Sequence, residues 1–307
     1  RGDPMSDSAK AMLTASFAAD AHALGVHWVY NTNVIDKKYG RLETLIAPTM
    51  AAYHRGKPAG AFTHYGDQML LLLRSVATHG FSPQQFGADW RAYFSHYEGY
   101  FDGATKTTLA NLDDGVAYDQ AGSNSDDLGG AARIAPLVYA YRNDPDRLVA
   151  AVRDQTAITH RDQAVIDTAE LMARTALRVL AGANPIEALQ QETRARFTDT
   201  PLATWVADGI DSAEIETRQA IKDFGQMCET PAALPATVHL LARYPDDLKT
   251  ALVENVMAGG DGAARGLLVG LLLGAYNGSD AIQPWIDAMQ ARQEIETLLA
   301  SIDAHLA

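Results

Sequence analysis

The sequence contains a single cysteine, Cys228, among its 307 residues. One cysteine excludes an intramolecular disulfide framework and a zinc site built from several cysteines. Because structural disulfides mark oxidising compartments, their absence favours a cytosolic protein, and we expect a cytoplasmic location. Residues 1–4, RGDP, precede Met5 and are interpreted as a cloning remnant that carries no fold information.

Basic residues are also scarce. The chain has 25 lysines and arginines against 38 aspartates and glutamates, which gives a formal net charge of -13. Such an acidic surface argues against a protein that follows the phosphates of a nucleic acid. It leaves room for a local basic pocket that binds one small phosphorylated molecule. We therefore expect a small-molecule ligand, and neither a nucleic acid nor a membrane as a partner.

Long apolar runs and strand-like alternation are missing as well. The most apolar run, Gly266–Tyr276, is too short to span a bilayer. Helical spacing occurs nearly everywhere, as in residues 8–24, whose apolar side chains form one stripe. The sequence therefore predicts an all-α fold class, with residues 5–307 forming one compact multi-helix domain. Further helices are predicted near residues 67–79, 82–97, 128–142, 145–158, 161–181, 201–222, 231–243, 247–257, 263–275 and 283–304, helix starts at 82–83, 144–145 and 184–185, and a long loop over 30–64.

Two clusters of polar residues occur before residue 70. Asp20 lies within an apolar helix, where a carboxylate is costly unless it is paired or faces a site, and His27, Trp28 and Tyr30 follow it. The alternative is that these rings are ordinary anchors of the core. In the second cluster, THYGDQ at 63–68, the carboxylate at the helix start either caps the helix dipole or binds a metal or a substrate.

Two further clusters follow later in the chain. GSNSDDLGGAARIAP at 122–136 is a turn whose backbone N–H groups suit an anion or sugar hydroxyls. Within it, Arg133 needs a buried acidic or phosphate partner, although a capped helix with a structural Arg–Asp pair is the alternative. THRDQ at 159–163 places His160 in a turn between helices, where it either faces a cleft or is a satisfied structural residue.

Taken together, these motifs resemble the ADP-ribosylglycohydrolase superfamily over nearly the whole of residues 8–278. The order along the chain is the same: an embedded aspartate at Asp20, YGDQ at 65–68, GAARIAP at 130–136, a Thr-His turn at 159–160 and GGDGAA at 259–264. GAARIAP is the most specific of these matches. The resemblance implies an all-α, roughly orthogonal bundle of helices with a cleft on one side.

The chain departs from the superfamily at the residues that bind metal. In the active glycohydrolases, a threonine and paired aspartates of the first motif and an aspartate and a threonine of the last hold two divalent cations, normally magnesium. Here the first motif keeps Asp67, and the last keeps Asp261 but has Ala263 and Ala264 in place of a carboxylate and a hydroxyl. Magnesium prefers an octahedral shell of oxygen ligands. We therefore expect no standard two-magnesium site. The resemblance leaves at most one Mg²⁺, bound by Asp67 and Asp261 and completed by Asp20, Asp126 or Asp127 and water.

The strings DAHALGVHWVY, HYGDQMLLLL and GSNSDDLGGAARIAP are similar to the J-crystallin and selenoprotein J branch of this superfamily. That branch implies a glycohydrolase fold with a rebuilt pocket. The candidate catalytic residues are Asp67, Asp261, His160 and Asp127. The candidate substrate-binding residues around the same pocket are Asp20, His27, Trp28, Tyr30, Tyr65, Gln68, Ser123, Ser125 and Arg133.

Three functions are consistent with these residues. The first is hydrolysis of an N-glycosidic bond in an ADP-ribose-like or nucleoside-like substrate, with Arg133 or Lys106 facing a phosphate and Trp28 or Tyr30 stacking on a base. The second is a crystallin-like binding or structural protein without catalysis. The third is a metal-independent hydrolase or lyase that acts on another small polar molecule. A histidine within hydrogen-bond reach of an aspartate in the cleft is the feature that distinguishes the third.

Overall fold

The computed structural model describes residues 4–49 and 52–306. Within them the backbone forms helices and turns without a β-sheet, which confirms the predicted all-α class. The α-helices of the first half are α1 (Pro4–Ala23), α2 (Thr32–Tyr39), α3 (His64–His79), α4 (Pro83–Ser95), α5 (Gly103–Asp113), α6 (Gly129–Ala132), α7 (Ala135–Tyr141) and α8 (Pro145–Ala157). Short 3-10 helices span Leu24–Val26, Ala52–His54 and Asp280–Ile282.

The second half of the chain continues the same architecture. Its α-helices are α9 (Gln163–Leu180), α10 (Pro185–Arg196), α11 (Pro201–Asp211), α12 (Thr217–Phe224), α13 (Thr230–Arg243), α14 (Leu248–Met257), α15 (Gly262–Asn277), α16 (Gln283–Ala288) and α17 (Arg292–His305). None of the helices described here is both long enough and apolar enough to cross a membrane.

The three helix starts predicted from a cap residue followed by proline are confirmed. Helices α4, α8 and α10 begin at the prolines after Ser82, Asp144 and Asn184. Each of these side chains accepts a hydrogen bond from a backbone N–H of the first turn. Such bonds satisfy donors that have no partner within the helix, so the local sequence fixes where the helix begins.

Helices α1 and α15 form the centre of the core. Glycines in α15 allow the backbones of the two helices to approach each other closely, because a Cβ added at Gly270 would lie 2.6 Å from the carbonyl oxygen of Ala15. One at Gly274 would lie 2.7 Å from the Ala15 Cβ. The hydroxyl of Ser16 donates to the carbonyl of Leu267 over 2.8 Å, so a polar group in this interface is also satisfied.

Three segments that were each predicted to form one helix form two helices in the structure. The segment 128–142 is interrupted at Arg133 and Ile134, between α6 and α7. Pro136 explains the interruption, because proline lacks the N–H that a continuous helix would need and restricts the residue before it. The segments 201–222 and 283–304 are likewise divided, into α11 with α12 and α16 with α17.

Two helices were not predicted. Helix α2 lies inside the segment 30–64 that was interpreted as a loop, and Ile35 is the residue of this helix that is buried. A single buried position gives no apolar stripe for a sequence pattern to reveal. Helix α5 begins after Asp102, whose side chain accepts a hydrogen bond of 2.9 Å from the N–H of Thr105. This cap brings Asp102 to the site described next.

Candidate active site

Isolated backbone pairings join the loops that carry the polar motifs. The N–H of Trp28 donates to the carbonyl of Gly260 over 2.9 Å, and the N–H of Gly260 donates to the carbonyl of Val29 over 2.8 Å. Further pairings link Ser123 to His160 and Asp127 to Glu229. Loops that are far apart in the sequence thereby meet around one site.

These loops and the start of α5 surround an open cleft of about 550 Å³. It brings together four residues that the sequence predicted, Trp28, Ser123, Ser125 and Asp127. It also contains residues that the sequence did not predict. The lining consists of Trp28, Tyr100, Asp102, Gly103, Ala104, Thr107, Ser123, Asn124, Ser125, Asp127 and Cys228.

Asp127 forms part of the cleft wall and is 7% exposed. Its Oδ1 atom accepts a hydrogen bond of 2.8 Å from the N–H of Gly129, and its Oδ2 atom lies 3.1 Å from the hydroxyl of Tyr65. Burial, followed by the negative charges of Asp102 and Asp261, raises the pKa of Asp127 well above its ordinary value. The surroundings of Asp127 therefore favour its protonated form.

Asp261 is fully buried behind Asp127 and caps α15. Its Oδ1 atom accepts from Nε2 of His27 over 2.9 Å, and its Oδ2 atom accepts from the hydroxyl of Tyr65 over 3.3 Å. Burial alone would raise the pKa of Asp261. The interaction with His27, the hydrogen bond from the N–H of Ala264 and the positive charge of Arg265 together outweigh burial, and the pKa is lowered. The Tyr65 hydroxyl thus lies between a carboxyl group whose pKa is raised and one whose pKa is lowered.

His27 extends this hydrogen-bonded chain. Burial lowers the pKa of His27, so its ring is neutral. Because Nε2 donates to Asp261, Nδ1 is the acceptor, and it lies 2.9 Å from Nε2 of His54. The third function predicted above required a histidine in hydrogen-bond reach of an aspartate in the cleft. His27 and Asp261 form such a pair, but neither side chain is part of the cleft lining.

Asp102 is the second carboxylate that lines the cleft, and it is also 7% exposed. Its Oδ2 atom lies 3.4 Å from Nε2 of His64. Burial alone would raise its pKa, but the interaction with His64 and the N–H of Thr105 outweigh burial, and the pKa of Asp102 falls well below its ordinary value. Asp102 is therefore ionised at neutral pH, whereas the surroundings of Asp127 in the same cleft favour its protonated form.

Comparison with known proteins agrees with this architecture. The family model of ADP-ribosylglycohydrolase matches residues 2–306. The chain belongs to the ADP-ribosylglycohydrolase family. It is similar to an ADP-ribosylglycohydrolase-related protein complex of known structure, with a TM-score of 0.75, 23% identity and 99% of both chains covered. This likeness confirms the predicted fold.

Two curated relatives are similar in sequence. An uncharacterized protein of Archaeoglobus fulgidus is 23% identical over 252 residues, which cover 80% of each chain. Crystallin J1B of Tripedalia cystophora is 22% identical over 312 residues, which cover 96% of each chain. The crystallin match agrees with the branch that the sequence motifs resembled.

The ADP-ribosylglycohydrolase family is typically metal-dependent, and this chain has residue groups that could hold a metal. Asp127, Cys228 and Asp261 each offer one ligand atom within 4.8 Å of the others. This set does not fit two magnesium ions, because a thiol is a poor magnesium ligand. The hydroxyl of Tyr65 also lies between the two carboxylates, within 3.1 Å of Asp127 and 3.3 Å of Asp261.

The two remaining candidate aspartates have other partners. Asp20 accepts hydrogen bonds from the N–H and the hydroxyl of Thr63, at 2.8 and 2.7 Å, and so fixes the start of α3. The Oδ2 atom of Asp67 lies 2.6 Å from Nζ of Lys57 and 2.6 Å from the hydroxyl of Tyr97. Neither residue lines the cleft, and a catalytic or metal-binding role for Asp67 stays a prediction.

Arg133 lacks the acidic or phosphate partner that the sequence led us to expect. Its guanidinium donates to the side-chain oxygens of Gln68, Gln155 and Thr159. The same Gln68 oxygen accepts from the indole N–H of Trp90 over 3.0 Å. A network of neutral acceptors thus satisfies the buried cation, and Gln68 and Arg133 lie in the core beside the site instead of in its lining.

His160 and Tyr30 complete the predicted set. His160 is buried, and its Nδ1 atom forms a hydrogen bond of 2.7 Å with the hydroxyl of Thr159. Burial lowers the pKa of His160 to about 3. It packs so tightly that a Cβ added at Gly130 would lie 2.5 Å from its ring. Tyr30 is 48% exposed and lines a neighbouring cleft with Arg218 and Lys222.

Several residues of the site were not predicted from the sequence. Asp102, Tyr100 and Cys228 line the cleft, and His54 and His64 lie beside His27. The signal for Asp102 was its position before a short helix, where an aspartate is a typical cap. His64 directly precedes the YGDQ motif, and this position next to a motif could have indicated that His64 belongs to the site.

Proposed function

We propose that this protein hydrolyses an N-glycosidic bond of a ribosyl compound, with Asp127 as general acid and Asp102 as general base. One observation carries the proposal: two carboxyl groups line one cleft, and their surroundings move their pKa values in opposite directions. Such a divergence divides the roles of acid and base between two residues of the same type. Membership of the ADP-ribosylglycohydrolase family supports a glycohydrolase reaction.

The reaction follows from these protonation states. Asp127 gives its proton to the leaving nitrogen as the bond from the anomeric carbon to that nitrogen breaks. Ionised Asp102 stabilises the positive charge that develops on the sugar and takes a proton from the water that bonds to the anomeric carbon. The proton gained by Asp102 then returns to Asp127. In this scheme the fully buried Tyr65 positions Asp127 through its hydroxyl, and the negative charge of Asp261 favours the protonated form of Asp127.

The cleft lining favours a nucleoside-like substrate over an intact ADP-ribose group. Trp28 and Tyr100 present aromatic rings on which a base can stack. The ammonium group of Lys106 lies 5.1 Å from the centre of the Tyr100 ring. Arg133, the other cation considered for a phosphate, is committed to neutral partners in the core. A diphosphate in the cleft would therefore have, among the described residues, a single lysine nearby to balance its negative charge.

A second candidate is a binding or structural protein without catalysis. The similarity to Crystallin J1B along 96% of both chains favours it. On this reading the polar groups of the cleft satisfy one another, and the family's chemistry has been lost. The two candidates make different predictions for turnover, although both allow a ligand to bind.

The test measures release of free base and free sugar from a panel of nucleosides and ADP-ribose conjugates, with chelator and with added magnesium. Asp127→Asn and Asp102→Asn should each lower kcat by about 10²–10⁴-fold, the usual contribution of a general acid or base. Asp126→Asn is the matched control, because Asp126 is in the same loop but does not line the cleft. Binding of nucleosides without any turnover would favour the second candidate. Turnover that both variants retain would refute the assigned roles.

A further inference from the structure

We propose that His27, His54 and His64 form a binding site for one zinc ion, separate from the carboxylates of the cleft. One ring nitrogen of each histidine lies within 4.8 Å of the corresponding atoms of the other two. All three side chains are buried, with exposed fractions of 1%, 2% and 0%. Two zinc–nitrogen bonds of about 2.0–2.1 Å in a tetrahedral site bring ligand atoms to about 3.4 Å from each other. His27 Nδ1 and His54 Nε2 lie 2.9 Å apart, at hydrogen-bond distance, so zinc would replace this hydrogen bond and the two atoms would move apart by about 0.5 Å.

Unpartnered nitrogens in this histidine cluster point to a missing ligand. Nδ1 of His54 and both ring nitrogens of His64 are buried and have no hydrogen-bond partner among the described residues. Leaving a buried polar atom unpaired costs about 1–3 kcal/mol. A single ion binds one nitrogen of each ring, so a bound cation would pair one nitrogen of His64 and one of His54.

Two carboxylates support the outer sides of the histidine cluster. Nε2 of His27 donates to Asp261 over 2.9 Å, and Nε2 of His64 lies 3.4 Å from Asp102. Histidines that bind metals usually direct the second ring nitrogen to a carboxylate or a carbonyl, which fixes the ring and increases its basicity. The two carboxylates also offset the charge of a divalent ion in a buried setting.

The chemistry of the three histidine ligands indicates which metal this site would bind. Three imidazole nitrogens suit zinc and neighbouring transition metals, whereas magnesium prefers oxygen. Three protein ligands would leave a fourth position of a tetrahedral zinc ion for water. Rings of Trp28 and Tyr65 pack on the cluster, with centroids 4.1 Å from those of His27 and His64 respectively.

A bound ion would also hold part of the cleft in place. His54 ends the 3-10 helix Ala52–His54, and His64 begins α3. The neighbouring Tyr53 contacts Trp28 and Tyr100 of the cleft, with ring centroids 4.8 and 4.9 Å apart. Zinc would therefore fix Tyr53 against the cleft by joining the 3-10 helix to α3. This inference does not depend on the proposed hydrolysis, because zinc binding can be measured in the absence of any substrate.

The experiment removes metal from the full chain with a chelator and adds Zn²⁺ in a calorimeter, with elemental analysis of the dialysed protein. We expect one ion per chain, and at least 100-fold weaker binding in His54→Ala and in His64→Gln. His96→Ala is the control, because His96 is an exposed histidine outside the cluster. Cobalt added in place of zinc should give the visible absorption of a tetrahedral nitrogen site.

A further measurement needs no variant and so does not depend on whether a variant folds. Zinc should shift the imidazole NMR signals of three histidines in the unmodified protein. Failure of the unmodified protein to bind zinc would refute the proposal. So would binding that Cys228→Ser abolishes and the histidine variants retain, since the ion would then lie with Asp127 and Asp261.

Discussion

Asp102 and Asp127 line the same cleft with equal exposure, yet their surroundings lower the pKa of the first carboxyl group and raise the pKa of the second. The difference comes from their neighbours. Asp102 faces His64 and accepts the N–H of Thr105 at the start of α5. Asp127 faces the negative charges of Asp102 and Asp261 in a buried position. Each protonation state therefore helps to maintain the other.

This relationship sets the pH dependence of kcat/KM. The proposed reaction requires ionised Asp102, so kcat/KM should fall as pH decreases through a pKa below the ordinary 3.8. It also requires protonated Asp127, so kcat/KM should fall as pH rises through a pKa raised above 3.8. Asp102→Asn should remove the acidic limb from the residual activity and Asp127→Asn the basic one. A profile that neither substitution alters would contradict the assignment, provided circular dichroism shows a folded protein throughout.

Asp20 should make the stability of the fold depend on pH. Burial raises the pKa of this carboxyl group from 3.8 to about 7, despite its hydrogen bonds from Thr63. The folded state then holds the proton more tightly than the unfolded state, so this stabilisation is complete below about 4 and is lost as pH rises to about 7. At about 1.4 kcal/mol for each pH unit between the two pKa values, the loss is on the order of 4 kcal/mol.

Asp20→Asn tests this dependence, because an amide has no proton to lose in this range. Urea unfolding between pH 4 and 8 should show a smaller decline in the variant than in the unmodified protein. Equal declines would mean that another group is responsible. His22, which is buried nearby in α1 but has a lowered pKa, serves as the comparison site through His22→Gln.

Gly129 should be intolerant of any side chain. A Cβ at this position would overlap the ring of Tyr65, lying within 2.9 Å of Cζ and closer still to Cε1. Because Tyr65 is fully buried and lies between Asp127 and Asp261, its ring cannot move without disturbing both hydrogen bonds. Gly129→Ala should cost about 1–3 kcal/mol of unfolding free energy and reduce turnover.

Gly103→Ala is the stability control for that substitution. A Cβ there meets no atom within 4 Å, and the residue begins α5, where alanine is the better helix former. The unfolding temperature should therefore fall in Gly129→Ala and stay unchanged or rise slightly in Gly103→Ala. Equal destabilisation of the two would argue against the steric explanation.

Asp67 should contribute to stability more than to chemistry. Its carboxylate contacts Lys57 and Tyr97 and is 19% exposed. Asp67→Asn should lower the free energy of unfolding by about 1–3 kcal/mol, because it leaves a partly buried cation without its counter-ion. Asp113→Asn removes an exposed pair with Arg91 and should change it by less than about 1 kcal/mol. A large loss of kcat in Asp67→Asn at unchanged stability would restore the catalytic role predicted from the sequence.

The fold could be predicted from the sequence because its signals are local. Helical spacing, caps followed by proline and the family motifs each depend on a few adjacent residues. The interruption between α6 and α7 also has a local cause, Pro136, but the continuous apolar pattern around this proline predicted one unbroken helix.

The candidate site was predicted in part. Asp127, Ser123, Ser125 and Trp28 line the cleft because they belong to motif loops. The pairings that define their chemistry could not be predicted, since His27 and Asp261 are separated by 234 residues. The same limit applies to Arg133, for which a charged partner was expected although neutral oxygens suffice. Only the folded chain shows which of several acceptable partners a buried charge has.

The central packing of α1 against α15 has a consequence for synthesis on the ribosome. Ser16 and Leu267, which contact each other across this interface, are 251 residues apart. At about 5–20 residues per second, the partner of α1 emerges roughly 13–50 s after α1 itself. During this interval the apolar face of α1 has no native partner and must be shielded by nascent structure or by a chaperone. The candidate site, which includes Asp261, can assemble only after residue 261 has been synthesised.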